Sequence, residues 1–181
     1  MTKLHTLDPV TLDFFDTAPL RVQCTMLAKC TPEVLFETLR GDEVWTEWAG
    51  VIRHVSWTSE APIAQGSTRD VTITGNMLVR ELFFHWEENK RVAFYVTEST
   101  IPNLTKFAED YIVERVGPTE TRLTWVVAIE NDGFMRHLNP VMRLALKPLF
   151  QGWFNRYKKI LEKRQAMQPS RPRPELAGIS S

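Results

Sequence analysis

Four ionisable side chains lie in runs that otherwise look like strand interior, and any chemistry would start from them. Glu81 and His85 sit in Met77–Glu87, a run dense in large apolar residues; Arg69 lies in Ser67–Thr74; Glu109 lies beside Asp110 in Lys106–Val116. A carboxyl group held among apolar atoms resists ionisation, so its pKa climbs toward the range where it can act as acid or base. Glu81 so placed could orient a ligand hydroxyl or amine, or exchange a proton with it. An imidazole changes charge near neutral pH, so His85 could shuttle a proton. Each has an inert alternative. Glu81 can pair with Arg69 or face water, and His85 can sit in solvent at a strand end. For Glu109 the adjacent Asp110 leaves the facing ambiguous, and a solvated carboxylate is the simplest reading.

Other chemistries find less support. His54 stands beside Arg53 on a strand and His137 opens a helix, with no pair of histidines a turn apart and no cysteine–histidine spacing of the zinc type. There is no glycine-rich phosphate loop and no nucleophile-elbow pattern. No metal and no cofactor are expected. The 181 residues carry 22 Lys+Arg and 22 Asp+Glu, and a formal charge of zero argues against bulk binding to nucleic acid. The charge is divided unevenly. Residues 1–133 hold 12 Lys+Arg and 20 Asp+Glu, a balance of −8, whereas residues 134–181 hold 10 and 2, a balance of +8. A basic helix lying on an acidic sheet explains this, and so does a basic end that meets an anionic membrane or partner. Cys24 and Cys30 are separated by about 20 Å of strand, too far for a bridge that needs Cα atoms within about 7 Å. With no secretory signal among Asp8, Asp13 and Asp16, and no membrane span, a cytoplasmic protein is expected.

The elements that must position these groups follow from periodicity. Residues 1–19 form an N-terminal extension. Leu20–Ala28 alternates apolar and polar, as a half-buried strand does. Thr31-Pro32-Glu33 is a helix start, with a capping hydroxyl, a proline at the first turn and an acid near the positive dipole end. A second short helix carries Trp45 and Trp48. The period then changes to two. Strands are expected over Val51–Trp57, Ser67–Thr74, Met77–Glu87, Arg91–Glu98, Lys106–Val116 and Glu120–Glu130. Gly133–Met167 reads as one long helix with Pro148 inside it, apolar over an unusually wide arc. Residues 20–167 therefore form one α+β domain, and residues 168–181, rich in Pro, Ser and Arg, are expected to be a disordered tail.

Four pieces in this order resemble the helix-grip superfamily, which includes START lipid-transfer domains, birch-pollen-allergen-like proteins, abscisic acid receptors and the polyketide cyclase/dehydrase group. They are Thr31-Pro32-Glu33-Val34-Leu35-Phe36, the tryptophan pair, Gly66-Ser67-Thr68-Arg69-Asp70-Val71-Thr72-Ile73, and Met77 to Val92. The resemblance implies a curved seven-stranded antiparallel sheet wrapped around a long C-terminal helix, with two short helices after the first strand. It also implies a cavity between sheet and helix for an apolar small molecule. Matched positions point Val71, Ile73 and Glu81 toward that cavity, and Arg69 is a further candidate ligand contact. Strand alternation adds Val79, Phe83 and His85, then Ala93, Tyr95 and Thr97. The apolar faces of later elements add Tyr111, Leu123, Trp125 and Val127, and from the helix Met142, Leu146, Phe150 and Phe154. The short Gly75-Asn76 turn and the absence of a His-containing latch near residues 99–104 depart from the hormone receptors.

The leading expectation is binding or transport of a lipid, polyketide or isoprenoid-like molecule, without turnover. The first alternative is a metal-free cyclase or dehydratase, with Glu81 as acid/base, His85 assisting and Arg69 or Tyr95 polarising a carbonyl. The second is an adaptor contacting a membrane or partner through the basic helix around Trp153, Phe154, Arg156, Lys158 and Lys159. Leu82, Phe84, Trp86, Val92, Phe94 and Val96 make the other face of two strands apolar as well. That face needs a cover, either Leu12, Phe14 and Phe15 from the extension or a second subunit, so the chain is expected to be a monomer or a homodimer.

Overall fold

The architecture comes from a computed structural model that describes residues 3–168. The expected helix start forms as the sequence dictates. The Thr31 hydroxyl accepts the Val34 N–H, and Pro32 occupies the first turn of α2 (Pro32–Arg40). Next comes α3 (Asp42–Trp48), which buries Val44, Trp45 and Trp48. The strands are β2 (Leu20–Ala28), β3 (Ile52–Trp57), β4 (Thr68–Ile73), β5 (Met77–Glu87), β6 (Arg91–Ser99), β7 (Leu104–Gly117) and β8 (Glu120–Asn131). They pair antiparallel in the order β2-β8-β7-β6-β5-β4-β3. Gly75 and Asn76, both at positive φ, make the tight β4–β5 turn. A 3-10 turn over Gly133–Leu138 leads into α4 (Asn139–Met167), which continues through Pro148.

The N-terminal extension belongs to the fold. Its β1 (His5–Thr6) pairs with β6, an eighth strand that the seven-stranded expectation lacks. The β6–β7 ladder joins only Arg91–Tyr95 to Ala108–Ile112, and the N-terminal residues sit where those strands part. The Leu7 N–H donates to the Thr97 carbonyl at 2.8 Å and the Asp8 N–H to the Thr105 carbonyl at 3.0 Å, while Leu7 itself joins the main core. Further on, α1 (Phe14–Thr17) lays Phe14 and Phe15 on the outer face of the sheet, against Phe84, Tyr95, Ala93, Ala108, Val126 and Ala128. The outer face thus has an intrachain cover. The main core lies on the inner face, between the sheet and α2, α3 and α4.

Two register shifts in the β5–β6 ladder decide which side chains face inward. Arg80 pairs with Glu98 but Glu81 with Val96, which leaves Thr97 as an extra residue; Phe83 pairs with Phe94 but His85 with Ala93, which leaves Phe84 as an extra residue. Directly paired residues share a face, and each bulge reverses the alternation beyond it. Val92, Phe94, Val96 and Trp86 therefore join the inner core, where unbroken alternation had set them outside. Helix α4 also divides. Its second half buries Phe150, Phe154, Tyr157 and Leu161, while Val141, Leu144 and Leu149 in its first half stay exposed. In the stretch around Trp153–Lys159, Phe154 and Tyr157 are in the core, whereas Arg156 and Lys159 are exposed. The expected disordered tail, apart from Gln168, lies outside the described residues.

Candidate ligand-binding site

A cavity of about 240 Å³ lies between the inner face of the sheet, α3 and α4. Its walls are mostly apolar. Trp45, Trp48 and Ala49 come from the α3 end, Val71, Ile73 and Val79 from β4 and β5, and Phe94 and Val96 from β6. Ile101, Leu104 and Phe107 line it beside the N-terminal segment, Trp125 comes from β8, and Leu146, Leu149, Phe150 and Trp153 come from α4. Three charged side chains border it: Arg69, Glu81 and Glu109.

Arg69 is held by its neighbours before any ligand is considered. It is 1% exposed. Its Nε donates to Glu81 Oε2 at 2.5 Å. Its guanidinium carbon lies 4.0 Å from the Trp45 ring centre, 4.9 Å from Phe94 and 5.0 Å from Phe83. A desolvated cation over aromatic faces gains about 2 kcal/mol or more from each good contact, which offsets part of its burial cost. Yet Nη1 is buried and has no hydrogen-bond partner in the protein. An N–H left so costs about 1–3 kcal/mol, a cost that a hydrogen-bond acceptor reaching it would remove.

Glu109 is the second polar group. Oε2 accepts from the Tyr111 hydroxyl at 2.6 Å and from Trp125 Nε1 at 3.0 Å, so both protein bonds reach one oxygen. Glu109 is half-buried and borders the cavity. Burial is the main force on its pKa, with the nearby Glu81 charge adding to it against the two hydrogen bonds, and the group is pushed up to about 7. Burial likewise pushes Glu81 up, opposed by Arg69, and holds the Tyr111 hydroxyl well above its ordinary value. The cavity thus presents an arginine N–H donor and a carboxyl group that changes charge near neutral pH.

Of the residues expected here, Arg69, Val71, Ile73, Val79, Glu81, Trp125, Leu146 and Phe150 line the cavity. Phe83, Tyr111, Phe154, Leu123 and Val127 are buried on the inner side behind that lining, and Met142 packs half-buried against the core. Four expectations are overturned. Tyr95 meets Phe84 edge-on at the outer face, Thr97 bonds the Arg80 carbonyl from the bulge, and His85 pairs with Ala93, which itself packs in the outer cluster. The cause is the same in each case: alternation within one strand cannot reveal a bulge. Glu109 was read as solvated but faces inward, while Asp110 turns outward to Arg91. Parity held the signal, because Tyr111 was already placed inside and Glu109 lies two residues before it. The tryptophan pair carried the resemblance but was not assigned to the cavity. Among the described residues no cluster of histidine, cysteine or carboxylate groups could hold a metal ion.

The family described as polyketide cyclase/dehydrase and lipid transport matches residues 19–162. An uncharacterised protein of Mycobacterium tuberculosis is 37% identical over 148 residues, covering 80% of this chain and 88% of that protein. Among solved structures, a START superfamily protein from Mycobacterium smegmatis aligns with a TM-score of 0.58 at 18% identity, over 81% of this chain and 97% of its own. The Zhui aromatase/cyclase from Streptomyces sp. R1128 aligns with a TM-score of 0.59 at 13% identity, over 80% and 94%. At those identities the two structures show the helix-grip fold alone.

Proposed function

The chain belongs to the polyketide cyclase/dehydrase and lipid transport family, and we propose that it binds an apolar small molecule whose single polar end carries an oxygen acceptor. The body of the ligand lies against the aromatic and aliphatic walls, and its oxygen takes the free Arg69 N–H. One observation carries this reading: a buried guanidinium, fixed by Glu81 and an aromatic cage, with one nitrogen unpartnered beside an apolar cavity. Largely apolar pockets with few convergent polar groups are the usual form of small-molecule sites. A neutral oxygen suits the charges better than an anion, since Arg69 already faces Glu81 and Glu109 ionises near pH 7. Displacement of a bound apolar fluorophore tests the reading. 2-Nonanone should displace it and octylammonium should not, because the cation offers no acceptor and is repelled by Arg69. Equal displacement by both would overturn it.

A second reading concerns turnover. In the same cavity Arg69 can stabilise a developing oxyanion while Glu109 exchanges a proton, a pairing suited to enolisation beside a carbonyl. The pKa of about 7 favours Glu109 as the acid/base over the ion-paired Glu81. Deuterium exchange at the α-carbons of bound 2-nonanone, present in the wild type and lost in Glu109→Gln with binding retained, would support it. Exchange equal to that of buffer would leave a carrier only.

A further inference from the structure

We propose that the 3-10 turn Gly133–Leu138 and the first half of α4 rest on an anionic lipid surface, with the mouth of the cavity opening onto it. The helix is apolar on two sides here. Taking about 100° per residue, Leu144, Pro148, Val141, Ala145 and Leu149 share an arc of roughly 140°, beside the inward arc of Met142, Leu146, Phe150 and Trp153. The outer arc is open: Leu144 is 80% exposed, Val141 67% and Leu149 46%, and Phe134 on the preceding turn is 73% exposed. Large apolar side chains this exposed, grouped on one helix, mark an interaction surface.

Charge selects the occupant. From Gly133 to Leu161 the chain has six Lys+Arg and no Asp or Glu. Lys147 borders the apolar arc on its Leu144 side, Arg143 lies beyond it with Nη2 donating to the Pro19 carbonyl at 3.2 Å, and Arg136 stands on the turn before. None of the three makes a salt bridge among the described residues. A second copy apposed through the same face would set these cations against one another, whereas an anionic bilayer gains from each. An apolar arc flanked by cations is the form of helices that lie in a membrane interface. Position joins this face to the cavity. Leu149 and Val51 are both exposed and both line it, so a ligand leaving between them passes directly onto the proposed contact surface. The contact does not depend on the identity of the ligand or on the polar end of the cavity.

Vesicle flotation of the full chain tests the proposal, with phosphatidylcholine alone and with one third phosphatidylglycerol. Binding is expected to the anionic vesicles and to weaken at high salt. Leu144→Glu should abolish it. Arg136→Glu with Lys147→Glu should weaken it more than tenfold, since each basic residue near such a surface contributes about 1 kcal/mol, roughly a fivefold effect. These side chains are exposed, so circular dichroism and fluorophore binding in the cavity should not change. No flotation with anionic vesicles, or flotation that Leu144→Glu leaves intact, would overturn the proposal. So would a wild-type dimer in size-exclusion light scattering that Leu144→Glu splits, because the face would then belong to a second copy.

Discussion

The sheet buries an arginine–carboxylate pair on each face, and the two pairs are built differently. On the outer face Arg91 grips Asp110 with two bonds, Nε to Oδ1 at 2.9 Å and Nη2 to Oδ2 at 2.8 Å. The side chain of Asp110 is 1% exposed and that of Arg91 29%, so the remaining guanidinium nitrogen is not sealed from solvent. On the inner face Arg69 gives only Nε to Glu81, lies in an aromatic cage, borders the cavity, and keeps Nη1 buried and unpartnered. A fork-to-fork pair is closed by its own geometry. A one-bond pair beside a cavity has binding capacity left over. Burial of opposite charges alone therefore does not mark a site; the unused donor does.

The comparison can be broken most forcefully at Arg69. Arg69→Met leaves the Glu81 carboxylate buried without its cation, and chemical denaturation at pH 8 should show a loss of about 3–5 kcal/mol. Much of that loss should return in Arg69→Met/Glu81→Leu, and 2-nonanone should bind weakly to the double variant although it folds. Asp110→Ala should cost about 2–3 kcal/mol by the same assay, from two lost charge-assisted bonds. Ligand binding should then be unchanged, because the outer pair does not border the cavity.

Glu109 sharpens the contrast through pH. Its folded pKa of about 7 stands above the ordinary value of 4.5, so the protonated form favours folding. That contribution is complete below about pH 4.5 and is lost as pH rises through about 7. In Glu109→Gln the loss should disappear, and the variant should gain at most about 3 kcal/mol relative to wild type between pH 4 and pH 8. Denaturant midpoints across that range measure it; parallel curves for the two proteins would mean that the carboxyl is not desolvated. The smallest effect is expected at His85. With its ring on the outer face, His85→Ala should change stability by less than about 0.5 kcal/mol and leave binding alone.

Much of this arrangement can be read from the chain, and the parts that cannot share one cause. The alternation of Leu20–Ala28, the Thr31-Pro32 helix start and the succession of strands along the chain come from local chemistry, and the folded chain keeps them. Arg69 with Glu81 follows from their paired register across a tight turn. The errors cluster at β5 and β6, where both faces are apolar. There the pattern of one strand cannot fix its facing, and the bulges at Phe84 and Thr97 arise only when the two strands meet. Glu109 was obscured by Asp110 although parity with Tyr111 pointed inward. Val141, Leu144 and Leu149 are exposed and Phe150, Phe154, Tyr157 and Leu161 buried on the same helix, and apolar spacing alone does not tell the two sets apart. The N-terminal strand was hidden because His5-Thr6 has no periodicity to read.

The most direct test of the central claim is the affinity of 2-nonanone, measured by calorimetry at pH 6, for the wild type and for Arg69→Met/Glu81→Leu. At that pH Glu109 is mostly protonated in the wild type. The account predicts saturable binding to the wild type and binding at least about tenfold weaker in the double variant, the worth of one well-made bond to a buried charged donor. Equal affinities would contradict it: Arg69 would then be only a structural cation among aromatic rings, and the cavity would hold its guest by apolar contact alone.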